Sequence, residues 1–292
     1  MKDNYLIYIY TAGTKEYAEV IINLINYVFD FKYLSIERLV AREEVICEKG
    51  IFKSIKKVLP SHENMVLILD DRTDVWNNIE NLINVKPFFF FINADKNKKN
   101  ILEEKSLSDF DNDDYCLYPV TLLLKFIHHA FFFYYSKFRT ICDIRFLKKQ
   151  KMFLIFKDLI AAYIDKPYLN ICESYEFNTI KKFGGNLETS ISNSTNLLFI
   201  DYSSLKNNQI ICKNNSYFVN NCDVVDKIWI YFCEFFFCKL KKDEFLYNYL
   251  YPQYYYSQKN IFISNKDNID EFYSIDSIKL NNFIDDINCK YY

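Results

Sequence analysis

The chain has 292 residues, half of them hydrophobic, with 36 basic against 38 acidic side chains and a net charge of −2. That length can bury at least one full core and leaves room for about two domains. The near-neutral balance excludes the large positive field of a protein that binds duplex nucleic acid or an anionic membrane. Nine cysteines, an odd number with no C-x-x-C pair, fit neither a disulfide-stapled secreted domain nor a zinc ribbon and point to a reducing compartment. The apolar runs at 87–92 (PFFFFI) and 229–237 (WIYFCEFFF) are shorter than the roughly 20 residues of a spanning helix. Residues 1–20 carry Lys2, Asp3, Lys15, Glu16 and Glu19 without a cleavable apolar core. The expectation is a soluble cytoplasmic or nuclear protein with no direct nucleic-acid or membrane partner. An excess of Phe and Tyr (28 and 25, against four glycines) reads as compositional bias, so FIHHAFFFYY at 126–135 is read as core or interface rather than a base-stacking platform.

In chain order, YLIYIY (5–10) is a strand ending in TAGT. KEYAEVIINLIN (15–26) places Ala18, Ile21, Ile22 and Ile25 on one helix face. RLVAR (38–42) reads as a second strand, FKSIKKVL (52–59) as a short helix closed by Pro60, MVLIL (65–69) as a third strand and NLINVKPF (81–88) as a fourth. Strands separated by helices predict a parallel α/β sheet with its ligands at the carboxyl ends of the strands. Residues 93–114 are polar and charged and read as a linker. A helix follows at 115–138, in which His128 and His129 have no acid or cysteine at ligand spacing and read as structural. From about 150 a second α/β pattern begins: KMFLIF (151–156) as a strand, YEFNTIKKF (175–183) as a helix stopped by Gly184 and Gly185, TNLLFIDY (195–202) as a strand, and an apolar helix around Trp229.

In this reading Thr11 and the pair Asp70, Asp71 fall just after strands, where such a sheet builds its site. Adjacent carboxylates repel unless a cation or hydrogen bonds compensate. A hard, oxygen-seeking ion such as magnesium is one natural partner. An Asx turn that merely ends the strand is the other explanation of the dipeptide.

Four blocks, YIYTAGTKEYAEVI, KSIKKVLP, MVLILDDRTDVW and NLINVKPFFFF, in that order and spacing, closely resemble the TFIIF-associating phosphatases of the RNA polymerase II C-terminal domain (CTD), members of the haloacid dehalogenase-like superfamily. Ile127, His128, Phe131 and Phe132 resemble that family's next helix, and a BRCT domain follows in the family. The resemblance implies a partial haloacid dehalogenase-like (Rossmann-like) sheet at 1–95, a linker and helix at 96–140, a BRCT-like α/β domain at 141–240 and a polar, acidic tail at 241–292. It implies a nuclear protein serine/threonine phosphatase that hydrolyses phosphoserine in the CTD through an aspartyl-phosphate. Thr11 matches the residue that holds phosphoryl oxygens, Lys53 the motif lysine, and Asp70 and Asp71 the acids that bind Mg²⁺. Arg42 matches an arginine-acid pair that serves either in substrate contact or as a surface ion pair. Trp76 resembles a family tryptophan and equally fits a packing role.

The family's D-x-D-x-T motif, which carries the nucleophile and the general acid, is expected well ahead of YIYTAGT, and here Met1 stands ten residues before Thr11. DNDDY (111–115) has the D-x-D spacing but neither a preceding apolar strand nor the threonine. The expectation is therefore a sheet lacking its central first strand and a chain that is an incomplete reading of a longer gene. The alternative is a catalytically dead binding protein of the transcription machinery. Asn26 replaces a common family Asp. Lys157 and Asp158, placed after MFLIF, replace the Ser or Thr and Gly of phosphopeptide-binding BRCT domains, so protein contact is the expected role of that module. SSLKNNQIICKNN (203–215) is a poor match for its second helix. In the tail, Ile275, Ile278, Phe283 and Ile287 could share a helix face beside several acids, the resemblance making this a candidate grip on TFIIF.

Overall fold

The strands of the first ninety residues are short, and their order follows the alternation of apolar runs with helical ones. The structure, a computed structural model, describes residues 4–28, 36–47, 50–51, 53–77, 79–86, 115, 117–164, 173–200, 222–246 and 258–291. The chain divides into two compact units, Met1–Pro87 with Ile127–Leu147, and Phe88–Phe126 with Lys148–Tyr292.

In the first unit β1 (Ile7–Tyr10) runs parallel to β2 (Ile36–Val40), with Tyr10 opposite Val40. The connecting helix α1 (Lys15–Val28) buries Ala18 and half-buries Ile21, Ile22 and Ile25, the face that the spacing predicts. Its other side, with Tyr17, Val20, Leu24 and Tyr27, is also apolar but exposed. A short helix α2 (Arg42–Val45) and an antiparallel pair, β3 (Ile46–Cys47) with β4 (Gly50–Ile51), follow. The helix expected over 52–59 contracts to a 3-10 turn at Ile55–Lys57. Lys53 is drawn out of it because its backbone pairs with the segment at Val75–Asn77: the Lys53 N–H donates to Val75 O at 2.7 Å and Asn77 N–H to Lys53 O at 3.3 Å.

Strand β5 (Ile68–Asp70) is parallel to β6 (Leu82–Asn84), with Asp70 opposite Asn84. Ile55, Ile68, Val75, Trp76 and Leu82 form the core beneath them, and Tyr10, Leu59 and Val66 pack against it. Among the described residues β1 and β5 do not pair with each other, and each has a single partner. The parallel α/β pattern expected from the sequence is present, among the described residues as two separate parallel pairs.

The second unit holds a four-stranded parallel sheet in the order β10 (Asp223–Asp226), β9 (Leu197–Ile200), β7 (Ile160–Tyr163), β8 (Asn186–Glu188), the sheet of the second α/β pattern that the sequence predicts. Every side chain of β9 is buried, as a sheet covered on both faces requires. The strand expected at 151–156 is instead the end of a helix, because Ile144, Leu147 and Lys151 recur at helical spacing and all three are buried. That helix, Ile144–Phe153, follows the 22-residue helix Leu117–Phe138; they are α4 and α3. With the first strand moved to 160–163, Lys157 and Asp158 precede it. The residues after it are Ile164 and 165–172, the latter outside the described residues, so the comparison with phosphopeptide-binding modules no longer rests on Lys157 and Asp158.

Helix α5 (Tyr175–Lys182) is capped by Ser174, whose Oγ accepts the Phe177 N–H at 3.1 Å, and ends at Gly184 with φ +92°. Helix α6 (Ile228–Phe235) buries Trp229, whose indole N–H donates to Leu240 O at 3.1 Å. The tail forms α7 (Gln258–Phe272) and α8 (Ser277–Tyr291). Its predicted apolar face divides: Ile287 is buried and Phe283 packs on Phe126 with ring centroids 5.1 Å apart, whereas Ile275 and Ile278 are exposed.

Helix α3 is by length and composition able to cross a membrane, but half of its most apolar window is buried within the protein. The expected linker at 93–114, most of DNDDY, PFFFFI and the segment 203–215 lie outside the described residues.

Candidate active site

Two loops at the carboxyl ends of β1 and β5 carry the polar groups. After β1 the chain turns through Thr11–Thr14. The Thr11 hydroxyl accepts the Gly13 N–H at 3.0 Å, and the Thr11 N–H donates to Val40 O at 3.0 Å, tying the turn to the neighbouring strand. Arg42 braces the same turn from the end of β2: its backbone N–H donates to Gly13 O at 2.9 Å and its Nε to Ala12 O at 2.6 Å. Arg42 therefore belongs to the Thr11 turn, with its side chain exposed. Among the described residues no contact joins it to the acidic pair.

After β5, Asp70 is held from three sides. Its Oδ2 accepts from Lys53 Nζ at 2.6 Å and from the Trp76 indole N–H at 2.8 Å, and its Oδ1 accepts the Arg72 backbone N–H at 3.0 Å. The Lys53 and Asp70 side chains are 11% and 12% exposed, so the pair is largely withdrawn from water. Burial pushes the Asp70 carboxyl up, but the donors Lys53, Arg72 N–H and Trp76 outweigh it and hold the group below the ordinary carboxylate value. The Asx turn weighed from the sequence does exist, in the Arg72 N–H to Asp70 bond, and it coexists with the ion pair. Asp71 is exposed. The Asn84 amide, oriented with its nitrogen toward β5, donates to the backbone carbonyls of Asp70 and Asp71 at 3.3 and 3.1 Å and fixes the strand end.

Aromatic rings wall in the lysine. Its Nζ lies 5.2 Å from the Trp76 ring centroid and 5.9 Å from that of Tyr10, and the two rings meet edge to face at 5.3 Å. Tyr10 precedes Thr11, so this contact brings the Thr11 turn toward the Lys53–Asp70 pair. Trp76 is both core, at 8% exposure, and hydrogen-bond donor to the site. Tyr10 lies within the YIYTAGTKEYAEVI block, yet no motif spacing marks it as a neighbour of Lys53. Arg72 pairs with Asp74 at 2.5 Å on the open surface. His128 keeps a structural place: Nδ1 meets the Asn4 amide at 3.3 Å and its ring lies 5.6 Å from that of Tyr5.

Among the described residues no three His, Cys, Asp or Glu side chains gather into a metal-binding group. The donor set nevertheless fits part of a magnesium site. Asp70 Oδ1 has a lone pair beyond the one given to Arg72, Asp71 is exposed beside it, and magnesium characteristically takes one or two carboxylates together with waters and phosphate oxygens.

Residues 1–116 match the family model of the NLI interacting factor-like phosphatases. The N-terminal part of the chain is thus similar to these phosphatases, as its motifs predict. It is 34% identical over 116 residues to the RNA polymerase II C-terminal domain phosphatase of Encephalitozoon cuniculi, an alignment covering 36% of this chain and 27% of that protein. With the Caenorhabditis elegans protein of the same name identity is 31% over 137 residues, 45% of this chain and 20% of the relative. The matched region thus spans about a quarter of the length of these curated relatives. In fold, the chain is similar to the fission yeast CTD phosphatase Fcp1 solved with beryllium fluoride, with a TM-score of 0.56 and 20% identity over 84% of this chain and 76% of that one. A second Fcp1 structure matches with the same TM-score, at 18% identity.

Proposed function

We propose that this chain is part of a nuclear, magnesium-dependent protein serine/threonine phosphatase acting on the phosphorylated C-terminal domain of the RNA polymerase II largest subunit. The observation that carries the reading is the buried Lys53–Asp70 pair, pinned by Trp76, at the end of a parallel strand. It sits in a sequence similar to phosphatases of that name. Thr11, in a turn braced by Arg42, offers a hydroxyl and backbone amides to phosphoryl oxygens. Lys53 supplies a cation for charge that develops on the transferred group. Asp70 and Asp71 would hold the magnesium, which when bound offsets repulsion between the phosphate and an attacking carboxylate. That carboxylate belongs, in the family resembled, to a D-x-D-x-T motif that these 292 residues do not contain.

A second reading is a phosphatase-like binding protein of the transcription machinery that docks on the phosphorylated domain without turning it over. If the terminal helices also grip TFIIF, the exposed Ile275 and Ile278 are the side chains available for it.

The deciding experiment incubates the protein, with any in-frame segment that its full-length transcript adds, with a phosphoserine CTD peptide, with and without Mg²⁺, and measures both released phosphate and peptide affinity. Magnesium-dependent release that is lost in D71N supports the enzyme. Binding without release supports the second reading, and neither binding nor release refutes both.

A further inference from the structure

The carboxylate that a divalent cation would seek at Asp70 already carries an ammonium on its other oxygen. Lys53 Nζ stands 2.6 Å from Oδ2, and the indole N–H fills another place on that oxygen. With the lysine 11% exposed and two aromatic rings beside it, little water is left to screen its charge. A cation arriving at Asp70 therefore meets a like charge at close range, in a setting where that repulsion is felt strongly. Lysine is also a flexible point charge with three donors, able to exchange one acceptor for another. The acceptor at hand is a phosphoryl group on the Thr11 turn, next to the Tyr10 ring that faces Nζ.

We propose that Lys53 makes divalent-cation binding at Asp70 and Asp71 conditional on a phosphoryl anion: alone, the ammonium acts as the site's internal counter-ion, and an anion at Thr11 draws its charge away and opens the acidic pair to the metal. The inference rests on the reading of that pair as a cation site. Metal and anion are then positively coupled, and by linkage each raises the affinity of the other by the same factor. Such an arrangement keeps an empty site from holding a metal that has no substrate to act on.

The test is calorimetric titration of Mg²⁺ into the protein with and without saturating inorganic phosphate, repeated with K53Q and with K56Q as a charge control. Lys56 is a neighbouring surface lysine, 73% exposed, whose Nζ pairs with Glu63 at 3.8 Å. In the native protein phosphate should tighten Mg²⁺ by about 5-fold or more, the lower end of ordinary coupling between sites. K53Q should bind Mg²⁺ more tightly than the native protein when phosphate is absent and respond less to phosphate, while K56Q behaves as native. Equal or weaker Mg²⁺ binding by a folded K53Q overturns the proposal.

Should K53Q not fold, the native protein decides alone: phosphate titrated with and without Mg²⁺ must show the reciprocal gain, and independence of the two ligands refutes the coupling. If Mg²⁺ binds with no response to phosphate, this inference fails while the acidic pair stands as a metal site. If Mg²⁺ does not bind under either condition, the metal part of the proposed function falls with it.

Discussion

Asp70 shows how one side chain can be legible in a sequence while its surroundings are not. Two acids closing an apolar run, within motifs spaced as in a phosphatase family, single out Asp70, Asp71, Thr11 and Lys53. The structure brings Lys53 onto Asp70 and leaves Arg42 on the Thr11 turn. Trp76 could be read from sequence as packing or as a family feature; in the structure it packs in the core and also donates to Asp70, because an indole can bury its rings and still present its N–H. Replacing Trp76 with Phe keeps most of the packing and removes that donor from a charged acceptor. The expected loss is about 1.5–3 kcal/mol, measured as a lower urea midpoint for the first unit. Tyr10 belongs to one of those motifs, but its contact with Lys53 depends on what its ring faces, which no spacing rule encodes.

At the scale of elements, the spacing of α1 was legible, whereas the helix read up to Pro60 shrank to a 3-10 turn at Ile55–Lys57. Gly184 stops α5 as expected, and its φ of +92° explains why glycine is needed there; an added Cβ would also lie 2.1 Å from the Phe153 carbonyl oxygen. G184A should therefore destabilise the second unit by at least about 1–3 kcal/mol from backbone strain alone, read as a drop in its denaturation midpoint. KMFLIF failed as a strand because a short apolar run does not distinguish strand from helix by itself. Two of the missed strands, NLE at Asn186–Glu188 and DVVD at Asp223–Asp226, are three and four residues long and carry polar residues at their ends.

Helix α4 hides a further cost. Lys151 is 5% exposed, its Nζ 4.3, 3.9 and 5.2 Å from the ring centroids of Phe126, Phe272 and Tyr273, and it donates to Phe272 O. Burial pulls this lysine down to about 7, with Lys279 lowering it further and Cys238 acting in the opposite sense. Above that value the folded protein holds the neutral amine while the unfolded chain still binds the proton, so the unfolded state carries more protons. Stability should therefore be flat below pH 7 and rise with pH toward the free-lysine value, at a limiting slope of roughly 1.4 kcal/mol per pH unit. K151M should abolish this rise and raise stability at pH 6, checked by urea titrations at pH 6 and pH 9.

For the molecule as a whole, the α/β class and the parallel strands were readable because they follow from the alternation of elements. The division into units was not, because each unit draws on separated stretches of chain. Among the described residues Cys142, Cys233, Cys238 and Cys289 carry free thiols. Burial pushes the thiols of Cys142 and Cys238 up to about 12, and that of Cys233 well above its ordinary value. Iodoacetamide at neutral pH should thus label exposed Cys289 quickly and those three only after unfolding, which peptide mass spectrometry resolves.

The indole that steadies Asp70 has an optical consequence. The protein contains two tryptophans, Trp76 in the first unit and fully buried Trp229 in the second. Their emission is therefore a built-in pair of reporters, one for each unit. Trp76 touches the very carboxylate at issue, so its light should respond to whatever displaces the lysine, while Trp229 supplies an internal reference that does not.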